Sequence, residues 1–125
     1  MHGTFIWHEL ITPDTAGARA FYGGLLGWES TAIDMGDYTY TTLAVPGFPF
    51  GVAGMMGLTA EMKGWGIRPH WTGYIAVDDV DAMALDFQRE GGAICRPPAL
   101  THRGARGRGQ STVNPSLGKT RQGCL

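Results

Sequence analysis

Glu9 lies in the segment Phe5-Ile6-Trp7-His8-Glu9-Leu10-Ile11, whose other members are mostly aromatic or branched. Such a run reads as a β-strand. Side chains alternate along a strand, so Phe5, Trp7, Glu9 and Ile11 share one face, and Ile6, His8 and Leu10 share the other. A carboxylate on an apolar, inward-facing surface is costly unless it is paired. Burial also makes a carboxylate a better proton acceptor, so Glu9 is the candidate catalytic residue, a general base. Tyr38, Tyr40 and Tyr74 offer it hydroxyl donors; a purely structural bond from Glu9 to a tyrosine or to backbone accounts for the residue equally well. His8, flanked in alternation by Ile6 and Leu10, reads as a hydrogen-bonded core histidine facing the helices. Trp7, Phe48, Phe50, Met55, Met56 and Trp71 supply either the lining of an aromatic, methionine-rich pocket or plain core.

Other chemistries lack their residues. The two cysteines, Cys95 and Cys124, form no CxxC or Cys/His pair with zinc spacing. Asp78, Asp79 and Asp81 lack the glycine and the distal glutamate of a calcium loop, so helix capping explains them better. Gly23-Gly24 is followed by no Gly-Lys-Ser/Thr, so there is no phosphate loop. There is no GxSxG elbow.

The elements that must position these residues follow from spacing. Strands are expected over 5–11, 28–35, 38–45, 50–56 and 71–77, with a sixth starting at Ala93. Thr12-Pro13-Asp14 ends the first strand and caps a helix over 15–26, whose apolar face is Ala18, Phe21, Tyr22, Leu25 and Leu26. Gly27 closes it in the left-handed region. Asp78-Asp79 caps a second helix over 80–90, with Val80, Met83, Ala84 and Phe87 as its apolar stripe. Residues 57–70, broken by Gly57, Gly64, Gly66 and Pro69, read as a linker.

At 125 residues, 43% hydrophobic and 17% charged, the chain has the composition of one ordinary globular domain. The net charge of −1 conceals an asymmetry. All eleven acidic residues fall before position 96, and Arg96, Arg103, Arg106, Arg108, Lys119 and Arg121 leave the end purely basic. Without interleaved aromatics this tail is not read as a nucleic-acid arm. No apolar run is long enough for a membrane span, and no signal-peptide pattern opens the chain, so the expected location is cytoplasmic.

Shifting the sequence by 65 residues superposes Asp14 on Asp79, Ala18 on Met83, Tyr22 on Phe87 and Gly27 on Gly92. Both halves therefore run strand, capped helix, glycine stop, strand. Trp7-His8-Glu9-Leu10, Thr12-Pro13-Asp14, Ala20-Phe21-Tyr22-Gly23 and Leu26-Gly27-Trp28 resemble the first module of the vicinal oxygen chelate superfamily, the glyoxalase, bleomycin-resistance and dioxygenase-like domains. The run from Gly73 to Asp81, with Gly91-Gly92 and Arg96-Pro97-Pro98, resembles the second. The resemblance implies an α+β fold of two β-α-β-β-β modules, at about 3–56 and 71–98, with the linker 57–70 between them. It covers residues 1–98 and leaves the second module incomplete. Residues 99–125 form an atypical basic tail in which two closing strands cannot be drawn, as truncation, divergence or a change of reading frame would produce.

Metal-dependent members of the superfamily carry His, Glu or Gln ligands on their strands. The first such position falls on Trp7, or on Glu9 in a register slipped by two. The fourth strand offers no carboxylate, the fifth places Tyr74 where a ligand is expected, and the last belongs to the missing strands. The leading expectation is thus a metal-independent small-molecule binder, with Trp7, Glu9, Tyr40, Met55 and Tyr74 against the ligand, Glu9 able to do weak acid–base chemistry, and no cofactor. One alternative is a metal-dependent lyase or dioxygenase, with His8 and Glu9 holding a divalent ion together with ligands from a partner chain. Others are a drug-sequestering dimer and an inactive truncated member. The resemblance also implies a homodimer.

Overall fold

The computed structural model describes residues 2–94 and the backbone of residues 111–113. Its elements are β1 (Phe5–Thr12), α1 (Thr15–Leu26), β2 (Glu29–Asp34), β3 (Thr39–Ala44), β4 (Gly51–Gly57), α2 (Ala60–Gly64), β5 (His70–Val77), α3 (Val80–Arg89) and β6 (Ser111–Val113). The fold is α+β, and β1-α1-β2-β3-β4 is one β-α-β-β-β module. The chain divides into two compact units, Trp7–Thr72 and Met1–Ile6 with Gly73–Leu125.

In the Trp7–Thr72 unit the strands are ordered β2-β3-β4-β1. β2 and β3 pair antiparallel, as do β3 and β4, while β4 and β1 run parallel. Leu10 on β1, Leu43 on β3 and Ala53 and Met55 on β4 make one buried cluster, against which Ala18 and Tyr22 of α1 and Trp28 pack. The alternation forecast for β1 holds at Leu10, which lies on this helix-covered face.

Helix α1 starts where proline and aspartate end β1. Asp14 Oδ1 accepts from the Gly17 N–H at 2.8 Å, and Gly27 stops the helix at φ 69°. The expected apolar face is narrower than its sequence. Ala18 and Tyr22 meet the sheet, but Phe21 and Leu25 are 60% and 65% exposed. The i, i+4 line through Ala18 and Tyr22 is what packs on the buried cluster of the strands. Trp71 completes this side: its indole N–H donates to Tyr22 Oη at 2.9 Å, and Tyr22 stacks on Trp28.

The expected linker also needs correction. Thr59 accepts from the Met62 N–H and starts the short helix α2, which Trp65 closes. The helix fits between the glycines because Ala60 to Lys63 contains no breaker.

In the other unit, Asp79 Oδ1 accepts from the Asp81 and Ala82 N–H groups and caps α3, as the capping reading requires. Val80 is its buried residue. The Gly3 N–H donates to the Ala76 carbonyl and the Ala76 N–H to the Thr4 carbonyl. β6 pairs antiparallel with Ile75–Val77. The tail therefore does contribute a strand, short and polar enough (Ser-Thr-Val) to escape a search for apolar runs. The expected sixth strand does not include Ala93 or Ile94; its remainder, both cysteines and the basic residues from Arg96 onward lie outside the described residues. No helix among the described residues is long and apolar enough to cross a membrane.

Candidate functional site

On the sheet face of the Trp7–Thr72 unit opposite α1, strand pairing lines up Glu9 with Gly54 and Gly54 with Thr42. The next row is Ile11, Met56 and Tyr40. Tyr40 is therefore diagonal to Gly54, a spacing that aromatic side chains can bridge. Its ring crosses above β4 and its hydroxyl donates to Glu9 Oε2 at 2.9 Å. The Trp7 indole N–H donates to the same Tyr40 oxygen at 2.9 Å. An indole nitrogen can only donate, so Tyr40 must accept from Trp7 and direct its own proton to Glu9. The result is a directed chain from Trp7 through Tyr40 to Glu9, with Glu9 9% exposed.

Burial, and next the Glu9 carboxylate beside it, raise the Tyr40 phenol well above the usual tyrosine range; the Trp7 N–H works in the opposite direction. An unfolded tyrosine ionises near pH 10. Folded Tyr40 keeps its proton beyond that, so its contribution to stability is whole below about pH 10 and is lost as pH rises further. An alkaline titration of tyrosinate absorbance should accordingly show an increment delayed past the ordinary tyrosine range, and Tyr40→Phe should delete it. If no increment is delayed, or the delayed one survives in Tyr40→Phe, the geometry at Tyr40 is wrong.

No family model matches the chain. Among curated proteins, it is 31% identical over 105 residues to the anthracycline biosynthesis protein DnrV of Streptomyces peucetius, an alignment covering 77% of this chain and 38% of that protein. It is 33% identical over 97 residues to CFP32 of Mycobacterium tuberculosis, named as glyoxylase-like, covering 76% of this chain and 36% of that protein. DauV of a Streptomyces species, also named for anthracycline biosynthesis, is 30% identical over 105 residues, covering 77% of this chain and 38% of that protein. The chain carries a glyoxalase-like domain of the vicinal oxygen chelate superfamily. It spans less than two fifths of the length of these relatives.

Within this glyoxalase-like domain the structure brings Trp7, Glu9 and Tyr40 together. Met55 is corrected: it is fully buried in the cluster on the helix side, paired with Leu10 and Thr41. Its neighbour Met56 takes the Glu9 face. Tyr74 stands half-buried on β5, in the other unit. His8 is exposed rather than a core histidine; it alternates with Glu9, and the two point to opposite faces, so they cannot share an ion. Trp71 belongs to the Tyr22–Trp28 cluster, and Phe48 and Phe50 are exposed, packed edge to face on each other.

The divalent ion that the superfamily resemblance implies for its metal-dependent members does not fit these residues. Among the described residues, no three of His, Cys, Asp and Glu gather as a metal site would require. Trp7 cannot ligate, which leaves Glu9, bonded to Tyr40 through Oε2, without the two further ligands that such a group of three needs among the described residues. A separate recess of about 240 Å³ lies near the start of α1, lined by Thr15, Tyr38, Thr39, Thr41, Gly57, Leu58 and Thr59. It shares no residue with the Trp7–Tyr40–Glu9 chain.

What sequence reading missed is the pair Gly51 and Gly54. A Cβ at Gly54 would strike the Tyr40 ring and hydroxyl, and one at Gly51 would meet Thr42 Cγ2 at 2.6 Å and the Trp7 ring at 3.2 Å. The available signal was two glycines inside a strand, which mark bulges or close approaches.

Proposed function

We propose that this domain binds an organic small molecule without a metal, on the sheet face carrying Trp7, Tyr40 and Glu9, and that Glu9 supplies weak acid–base chemistry there. The reading rests on the directed hydrogen-bond chain. It fixes a carboxylate and a phenol beside an indole, on the sheet face opposite the helix-packed core. A carboxylate held in this way can take a proton from a bound ligand, and the two rings supply flat apolar surface for it. The names of the relatives, one glyoxylase-like and two from anthracycline biosynthesis, favour small-molecule chemistry. We place the domain in a cytoplasmic homodimer, so that a second copy contributes to enclosing the ligand.

The test is a thermal-shift assay with an anthracycline as probe, run beside Mn, Fe, Co, Ni and Zn salts and EDTA. Anthracycline at about a hundred times its Kd should stabilise the protein by about 2.7 kcal/mol. Trp7→Ala should remove the shift, and metals and EDTA should leave the melting temperature unchanged. Stabilisation by one metal, reversed by EDTA, would overturn the metal-free reading. An anthracycline shift that survives Trp7→Ala would move the site elsewhere.

A further inference from the structure

The register of β4 breaks once. Leu43 pairs with Ala53, but the next residue, Ala44, pairs with Gly51, leaving Val52 as an extra residue. A bulge of this kind bends the strand and re-aims its side chains. Gly51 and Gly54, three residues apart, would point to opposite faces of a regular strand. With one residue inserted between them they share a face: a Cβ at Gly51 would run into Trp7 and Thr42, and a Cβ at Gly54 would run into Tyr40.

The need for both gaps is geometric. The order is β3-β4-β1, and neighbouring strands lie about 4.8 Å apart, so Tyr40 on β3 must span β4 to reach Glu9 on β1. Its ring can make that crossing only low over a residue with no side chain, and Gly54 is the residue paired with Glu9. Trp7, two residues before Glu9, lies over Gly51 in the same way.

We propose that the β4 bulge with its two glycines is a positioning device for the site: Gly51 and Gly54 are positioning residues that let Trp7 and Tyr40 lie across β4 and hold Glu9. This rests on the reading of Glu9 as the functional carboxylate, but it concerns the geometry of the chain and is tested without any ligand. Neither glycine has a positive φ, so a left-handed backbone does not explain them. Gly57, at the other end of β4, has open space where a Cβ would stand and serves as the control.

The experiment follows the indole N–H of Trp7 by NMR hydrogen exchange, its signal assigned by Trp7→Phe, and measures stability by urea unfolding. Gly54→Ala should speed exchange at Trp7 by about tenfold, the loss of one ordinary hydrogen bond, and Gly57→Ala should leave it unchanged. In a Tyr40→Val background, where the obstructing ring is gone, Gly54→Ala should cost much less stability than in the parent. Unchanged exchange at Trp7 in Gly54→Ala would overturn the proposal, as would an equal stability cost in both backgrounds. If Gly54→Ala alone does not fold, recovery of folding in the double variant supports the proposal, and failure of the double variant refutes it. Loss of anthracycline binding plays no part in these outcomes, so the ligand reading can fail while this one stands.

Discussion

Glu9→Gln is expected to cut the rate of any proton transfer the domain performs by about two to four powers of ten while leaving the fold and ligand affinity nearly intact. The asymmetry comes from the direction of the hydrogen bonds. Trp7 donates to Tyr40, and Tyr40 donates to residue 9. A glutamine amide oxygen accepts the Tyr40 proton as a carboxylate oxygen does, so the chain survives the change. What is lost is the capacity of residue 9 to take a proton. The structural cost should stay near that of one altered hydrogen bond, about 1 kcal/mol. Parallel measurements of ligand affinity, turnover and urea unfolding check it. A variant that keeps its turnover would show that Glu9 only anchors Tyr40, and the domain would then be a pure binder. A variant that loses affinity and rate together would mean that the ligand contacts the carboxylate as a charge.

Leu43→Ala should destabilise the protein by about 2–5 kcal/mol. Leu43 is 1% exposed and sits among Leu10, Ala53 and Met55 beneath α1. Truncation there removes transfer free energy and leaves a cavity between strands whose pairing prevents collapse. Small domains have only about 5–15 kcal/mol of stability in total, so the change takes a large share of it. Leu25→Ala, at a residue 65% exposed on α1, should change stability by no more than about 0.5 kcal/mol. Urea unfolding of the two variants decides the matter. Equal effects would mean that α1 packs through a different face from the one described.

The outline of the fold was legible because its signals are local. Proline and aspartate after β1, glycine after α1 and the aspartate ahead of α3 each act on the nearest turn of backbone, and those boundaries fall within a residue or two of expectation. Alternation placed Trp7 and Glu9 together, and the supply of tyrosine hydroxyls offered Tyr40 only alongside Tyr38 and Tyr74; the strand register selects among them. Long-range registration was not legible. Whether Met55 or Met56 faces the site depends on how β4 pairs with β1, and a shift of one residue exchanges the faces. The bulge at Val52 has the same character: it exists only as a relation between β3 and β4. His8 misled because alternation gives a side, not what covers that side. α2 was missed because the glycines around it hide four good helix residues.

The three linked side chains have one more consequence. One of them is an indole, which can be excited selectively beyond the absorption of tyrosine, and its N–H is bonded to a phenol that is itself bonded to a carboxylate. Trp28 and Trp71 are tied into the aromatic cluster around Tyr22, and Trp65 is exposed. Emission from Trp7 therefore registers the state of the Tyr40–Glu9 bond. With the other three tryptophans replaced by phenylalanine, the domain becomes its own optical sensor, in which whatever disturbs the carboxylate is seen as a change in light.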